Sequence, residues 1–135
     1  MKETKYDYKK LDAYKEAKNL VMMVYRLMKQ FPKEEMYALC DQLRRAVISV
    51  PSNIVEGTGR FSTKEQVHFL EIAYGSLLEV ECQLDIAHDL AYISDEDWNI
   101  ANEQIRKVGA LLAGLRTKRM NTLHPLTHSS INPKL

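Results

Sequence analysis

Residues 62–90 read STKEQVHFLEIAYGSLLEVECQLDIAHDL, and this stretch decides the fold class. Its apolar side chains recur every three or four positions, which is the spacing of one face of an α-helix. Ser62 and Glu65 form the Ser-x-x-Glu pattern of a capping box, in which both side chains bond backbone amides of the first turn. The stretch therefore predicts a long helix over 63–91.

Three further segments show the same helical spacing, and no segment alternates in the manner of a β-strand. The predicted helices span 8–31, 34–58, 63–91 and 95–119. Short connections favour antiparallel neighbours, so we expect an all-α protein, an antiparallel up-down-up-down four-helix bundle over 1–120. Pro51 lies inside the second helix and predicts a kink, because proline cannot donate a backbone hydrogen bond. The polar residues 121–135 show no period and predict a flexible C-terminal tail.

The composition is that of an ordinary globular domain. The 135 residues are 45% hydrophobic and 27% charged, which excludes a disordered or collagen-like chain. Cys40 and Cys82 have no C-x-x-C partner, which argues against a disulfide framework or a structural zinc site. The longest apolar run covers only residues 20–25, so we expect a cytoplasmic protein with no signal peptide and no membrane span.

The charges are nearly balanced but unevenly distributed. Nineteen Lys and Arg residues against eighteen Asp and Glu give a net charge of +1, which is not typical of a nucleic-acid-binding protein. Residues 1–61 carry a net charge of +4, residues 62–103 carry −9 and residues 104–135 carry +6. Such blocks are usual on solvated helix faces. They also suit complementary contacts between subunits, or an anionic ligand.

The second predicted helix carries a polar stripe beside its core face. At helical spacing the stripe contains Arg45, Ser49, Asn53, Glu56 and Arg60. One interpretation is structural: the arginines pair with Glu56, and Asn53 satisfies carbonyls freed by Pro51. The other is functional, because arginines beside Asn and Ser offer donors to phosphates or to a partner's carboxylates.

A third arc of the same helix is too apolar for open solvent. It contains Tyr37, Arg44, Ile48, Pro51 and Val55. A helix that is apolar on two sides is buried on two sides, whereas a four-helix bundle needs only one buried stripe per helix. The sequence therefore predicts an oligomer, with Tyr37, Ile48 and Val55 as candidate interface residues.

Motifs for catalysis are missing from the sequence, so we expect no enzyme, no metal and no cofactor. Gly57-x-Gly59 follows a helix instead of preceding one, which is the wrong place for a phosphate-binding loop. Arg116, Lys118 and Arg119 form a second basic candidate. The alternative interpretation is structural: these cations stabilise the helix, because positive charge is favourable at the negative, C-terminal end of a helix dipole.

Four motifs resemble a known bacterial family. They are Phe31-Pro32-x-Glu34-Glu35-x-Tyr37-x-Leu39, Gln42-x-Arg44-Arg45-Ala46, Val50-Pro51-x-Asn53-Ile54-x-Glu56-Gly57-x-Gly59-Arg60, and Phe69-Leu70-x-Ile72-Ala73-x-Gly75-Ser76-Leu77-x-Glu79. In these four motifs the chain is similar to the four-helix bundle proteins that are encoded in intervening sequences of 23S rRNA genes, which are also called the S23 ribosomal protein family. The resemblance covers about residues 8–118.

The resemblance implies a helical subunit that assembles into a homopentameric ring, with no established enzymatic activity. A related branch, the accessory variability proteins of diversity-generating retroelements, works with a reverse transcriptase and RNA. The family signature positions, which are equally structural positions, include Pro51, Asn53, Glu56, Gly57 and Gly59.

Two hypotheses about function follow. The first is a non-enzymatic homo-oligomer whose surface binds RNA or DNA, or a nucleic-acid-processing protein. Its candidate binding residues are Arg44, Arg45, Arg60, Arg116, Lys118 and Arg119. The alternative is a structural scaffold that binds a protein partner without nucleic acid. Neither hypothesis involves a membrane.

Overall fold

The computed structural model describes residues 7–123. Within that range lie four α-helices and no β-strand, which confirms the predicted all-α class. The helices are α1 (Asp12–Met28), α2 (Leu39–Thr58), α3 (Thr63–Asp89) and α4 (Asp95–Leu123). Short 3-10 helices at Tyr8–Lys10 and Lys33–Glu35 precede α1 and α2.

Helices α3 and α4 begin where their capping residues predict. The Ser62 hydroxyl accepts a hydrogen bond of 3.2 Å from the Glu65 amide. The Ser94 hydroxyl accepts one of 3.0 Å from the Asp97 amide. Helix α3 ends two residues before the predicted boundary, because Ala91 adopts a left-handed conformation with φ of 63°.

Helices α1 and α2 begin later than predicted. Leu11 is extended, with ψ of 129°, so the predicted helix 8–31 is interrupted there. Helix α2 begins at Leu39 instead of residue 34, because the backbone of Ala38 is not helical, with φ of −121° and ψ of −99°. Just before it, one carboxylate oxygen of Glu35 accepts a hydrogen bond of 3.4 Å from the Leu39 amide, and the other accepts one of 2.7 Å from the Tyr92 hydroxyl.

The C-terminal boundary also differs from the prediction. Helix α4 continues to Leu123, so residues 121–123 of the predicted tail are helical. The rest of that tail, 124–135, lies outside the described residues. Helix α2 continues through the buried Pro51, and the kink expected there stays a prediction.

The helices enclose one hydrophobic core. Helix α1 packs against α2 and α4, and α3 packs against the same two helices. All four contribute large side chains that are almost completely buried, namely Leu20, Val24, Leu43, Ile54, Leu77, Leu84 and Leu112. None of the helices in residues 7–123 is both long enough and apolar enough to cross a lipid bilayer.

Candidate nucleic-acid interface

One end of the bundle collects basic side chains from four segments. A small cavity there is lined by Leu11, by Thr58 at the end of α2, by Gln66 in the first turn of α3 and by Arg119 of α4. In residues 7–11, 58–66 and 116–123, seven basic side chains stand against two acidic ones. We call these seven the basic end: Lys9, Lys10, Arg60, Lys64, Arg116, Lys118 and Arg119.

The opposite end of the bundle is acidic. Residues 85–97, which contain the connection from α3 to α4, carry five acidic and no basic side chains. Helix α3 has 27 residues, so at 1.5 Å per residue it separates the two ends by about 40 Å. The uneven charge along the sequence therefore becomes a charge separation along the bundle.

Two of the predicted binding arginines at the basic end already have carboxylate partners. Arg116 donates to Glu71 on α3 over 2.7 Å, and Arg60 donates to Glu56 over 2.8 Å. The Arg60 guanidinium also lies 4.6 Å from the centre of the Phe69 ring. All four charged side chains of these pairs are about half exposed, and such surface pairs contribute only about 0–1 kcal/mol.

The other two predicted cations at this end carry no such partner. Lys118 and Arg119 make no ion pair with another residue in 7–123. Lys118 is exposed, and Arg119 is half-buried along the wall of the cavity. Like the exposed Lys9, Lys10 and Lys64, which make no ion pair among the described residues either, they are available to an anionic ligand.

Arg44 and Arg45 lie elsewhere, in the second turn of α2, toward the opposite end. Arg45 bonds Asp41 over 3.0 Å, and Arg44 lies 3.6 Å from the same carboxylate. Arg44 also donates to the Met36 carbonyl over 3.1 Å. The structure thus brings together four of the six predicted binding residues and leaves these two apart.

The polar stripe of α2 is bonded differently from the structural prediction. The Asn53 amide donates to the Ser49 carbonyl and hydroxyl, both at 2.8 Å, whereas the carbonyl that Pro51 leaves without a donor is that of Val47. The prediction for Asn53 was therefore wrong about the acceptor. The Ser49 hydroxyl lies 2.8 Å from that of Ser76, which ties α2 to α3. Of the predicted ion pairs, Glu56–Arg60 is confirmed and Arg45–Glu56 is wrong.

Gly57 lets the end of α2 approach α3 closely. A Cβ at this position would lie 3.3 Å from the Phe69 Cβ and 3.4 Å from the Gln66 carbonyl oxygen. Gly59 is the C-cap residue of α2, with a right-handed φ of −87°. The two glycines therefore position the turn into α3, and their place at the C-terminal end of a helix is not that of a phosphate-binding loop.

The candidate subunit interface is only partly a single surface. Ile48, which is 42% exposed, and Val55 line a groove between α2 and α1 together with Tyr14, Lys18 and Val21. Pro51 is buried at its base. Tyr37 is 87% exposed but lies in the turn before α2, so it does not share their helical face.

Three titratable groups are shifted by local contacts, and none lies at the basic end. Hydrogen bonds from Gln104 and Asn19 lower the pKa of Glu16. The hydrogen bond to Glu35 raises the pKa of Tyr92, and burial raises the pKa of the Cys40 thiol. In residues 7–123 no three His, Cys, Asp or Glu side chains lie together in an arrangement that could hold a metal ion.

Sequence reasoning missed an exposed aromatic residue at this end. Phe61, in the turn between α2 and α3, has a relative exposure of 103%. The available signal was an apolar aromatic residue between Gly59 and the capping Ser62, where it continues neither helical stripe. The contributions of Lys9, Lys10 and Lys64 were also missed, because only the packing of the helices brings the segments that carry them to the end of α4.

Comparison with known proteins agrees with the motifs. A solved structure of a protein of unknown function, from the S23 ribosomal protein family of Bacteroides thetaiotaomicron VPI-5482, matches with a TM-score of 0.71 and 20% sequence identity. The match covers 77% of this chain and 97% of that chain, and at this identity it shows the fold alone. No curated protein matches the chain. A family model described as 23S rRNA-intervening sequence protein matches residues 9–114, and the chain therefore belongs to that family.

Proposed function

We propose that this protein is a non-enzymatic homo-oligomer whose basic end binds RNA. The observation that supports the proposal is the convergence of Leu11, the end of α2, the start of α3 and Arg119 of α4 around one small cavity, because these segments together carry seven basic side chains. Phosphate groups are the ligands that such clusters attract most strongly. Binding to a polyanion such as RNA needs neither a catalytic group nor a deep pocket.

The near-neutral net charge does not oppose this proposal. The acidic residues of the α3–α4 connection lie about 40 Å from the basic end, the length of a 27-residue helix. At physiological salt the Debye length is about 8 Å, so the acidic end is screened from a ligand at the basic end. The local charge governs binding there, and the net charge of +1 conceals it.

We infer that the four helices run up-down-up-down. Supporting contacts between α2 and α3 pair residues in opposite sequence order: Ser49 lies against Ser76, and Gln42 lies 3.5 Å from Gln83. Between α1 and α4, Glu16 accepts a hydrogen bond from Gln104, whereas Gln30 donates to Asp97. This arrangement supports the placement of the end of α4 beside the start of α3.

Homo-oligomerisation, with a pentameric ring as the expected form, is supported by two unlike surfaces. The α1–α2 groove combines Ile48 and Val55 with Lys18 and with Glu56, whose carboxylate already pairs with Arg60. The outer face of α3 combines exposed Ile72, Leu78 and Ile86 with exposed carboxylates, Glu79 among them. Contact of one face with the other joins apolar surface and brings Lys18 toward the carboxylates of α3, and head-to-tail contacts of this kind form a ring where the rotation between subunits closes. Several basic ends in one ring would strengthen weak RNA binding by multivalency.

The test is fluorescence anisotropy of a labelled structured RNA over a range of salt concentrations. We expect Lys118→Gln/Arg119→Gln to weaken binding and to reduce the slope of log K against log salt by about 1.5, at about 0.7–0.9 per lost phosphate contact. The control is Arg106→Gln/Lys107→Gln, which removes equal charge from α4 where both cations face carboxylates, Glu103 at 2.6 Å and Glu16 at 3.6 Å. Equal effects of both double variants would refute the assignment to the basic end.

The second candidate function is a scaffold that binds a protein without nucleic acid. It is favoured by the ion pairs of Arg44, Arg45, Arg60 and Arg116. Four of the six predicted binding residues therefore already have carboxylate partners within the subunit. Wild-type protein that forms an oligomer but leaves RNA anisotropy unchanged at low salt would support this function over the first.

A further inference from the structure

Phe61 is an apolar aromatic side chain with no use in the fold. It is 103% exposed, which means that its ring is at least as accessible as in an unfolded peptide. Its ring has no aromatic or cationic partner in residues 7–123, whereas Phe69, only two turns along α3, lies beneath the Arg60 guanidinium. Isolated exposed apolar residues are common, but a fully exposed phenylalanine within a basic cluster combines two features of a binding surface.

The turn that carries Phe61 is held in place by its neighbours. Gln66 donates a hydrogen bond of 2.8 Å to the Arg60 carbonyl, and the Ser62 hydroxyl caps α3. The close packing of Gly57 against α3 fixes the other side of the turn. The ring is thus presented from a constrained backbone, which reduces the conformational entropy that binding would cost.

We propose that Phe61 stacks on an unpaired base of an RNA strand whose phosphates contact the basic end. This inference rests on the proposed function and specifies its ligand as single-stranded or looped RNA. Arg60 directly precedes Phe61 and Lys64 follows it three positions later, so the turn that carries the aromatic side chain also carries two cations. Aromatic platforms beside cationic grooves bind single strands, because an unpaired base exposes its flat face and a paired base in a duplex does not.

The test compares two labelled RNAs by anisotropy at low salt: an oligouridine and a blunt-ended RNA duplex. We expect Phe61→Ala to weaken oligouridine binding about tenfold while duplex binding stays unchanged, since one stacking contact is lost. We expect Phe61→Trp to restore the affinity and to show quenching of tryptophan fluorescence on addition of oligouridine. The matched control is Ile100→Ala, which removes an exposed apolar side chain near the acidic end of α4 and should leave both affinities unchanged.

Each other outcome has a defined meaning. If Phe61→Ala binds oligouridine as tightly as the wild type, the stacking role is overturned and binding at the basic end stands. If wild-type protein binds neither RNA, the proposed function fails first and this inference fails with it. If Phe61→Ala changes the mass measured by light scattering, the Phe61 side chain is a contact between subunits. The inference is then overturned, because the partner of this side chain is a second copy of the protein.

Discussion

The close packing at Gly57 leads to a quantitative prediction for Gly57→Ala. The added methyl group would lie 3.3 Å from the Phe69 Cβ and 3.4 Å from a backbone oxygen, and neither atom is the end of a flexible side chain. Overpacking of this kind costs about 1–3 kcal/mol. Alanine is favoured over glycine within a helix by about 1 kcal/mol, so the net effect is a loss of about 0–2 kcal/mol.

Gly114→Ala isolates the packing cost. Gly114 is also inside a helix, but nothing lies within 4 Å of its added Cβ. We expect this variant to gain about 1 kcal/mol from helix preference alone. The difference between the two variants then equals the overpacking term, about 1–3 kcal/mol, or roughly 4–12 °C in melting temperature for a domain of this size.

Thermal denaturation followed by circular dichroism, at one fixed protein concentration, measures both variants. The fixed concentration matters because the melting temperature of an oligomer depends on it. If Gly57→Ala proves as stable as Gly114→Ala, the close approach of α2 and α3 at the basic end is refuted.

Three further predictions concern assembly, pH and thiol reactivity. Ile48→Glu places a charge in the α1–α2 groove and should yield smaller species by light scattering with unchanged helical circular dichroism; an unchanged mass would remove this groove from the interface. Because a hydrogen bond from Gln104 lowers the pKa of Glu16, that contact stabilises the fold above the unfolded value of about 4.3 and is lost as the pH falls through the lower folded value. Gln104→Met should therefore be less stable than wild type at pH 7, by a margin that narrows in acid; a constant margin would count against this linkage. In the dissociated Ile48→Glu variant, iodoacetamide should modify the exposed Cys82 rapidly and the buried Cys40 slowly, as mass spectrometry would show, and equal rates would contradict the burial of Cys40 in the core.

The features that could be predicted from sequence are those set by local bonding. The capping residues Ser62 and Ser94 bond amides three positions away, so a short pattern contains everything that starts α3 and α4. The start of α2 was predicted wrongly because the helix is preceded by a non-helical backbone at Ala38, and alanine, a strong helix former, gives no sign of it in the sequence. The end of α3 was predicted wrongly because Ala91 adopts the left-handed conformation that ends a helix. Glycine usually occupies such a position, and an alanine there gives no sign of it in the sequence.

The candidate site shows the same division. Arg116, Lys118 and Arg119 could be found as one basic stretch of a single helix. Their neighbours Lys9 and Lys64 could not, because only the packing of four segments around one cavity joins them to that stretch. The net charge of the chain was misleading for a related reason. It adds the acidic and basic side chains of the two ends, although the length of the bundle separates those ends by much more than the Debye length.

Light scattering behind size exclusion, with and without a structured RNA at low and moderate salt, tests the central claim most directly. With a subunit of 15.6 kDa, a pentamer has a mass of about 78 kDa. The account predicts an oligomer that elutes with the RNA at low salt and separates from it at moderate salt. A 15.6 kDa monomer that elutes apart from the RNA at both salt concentrations would contradict it.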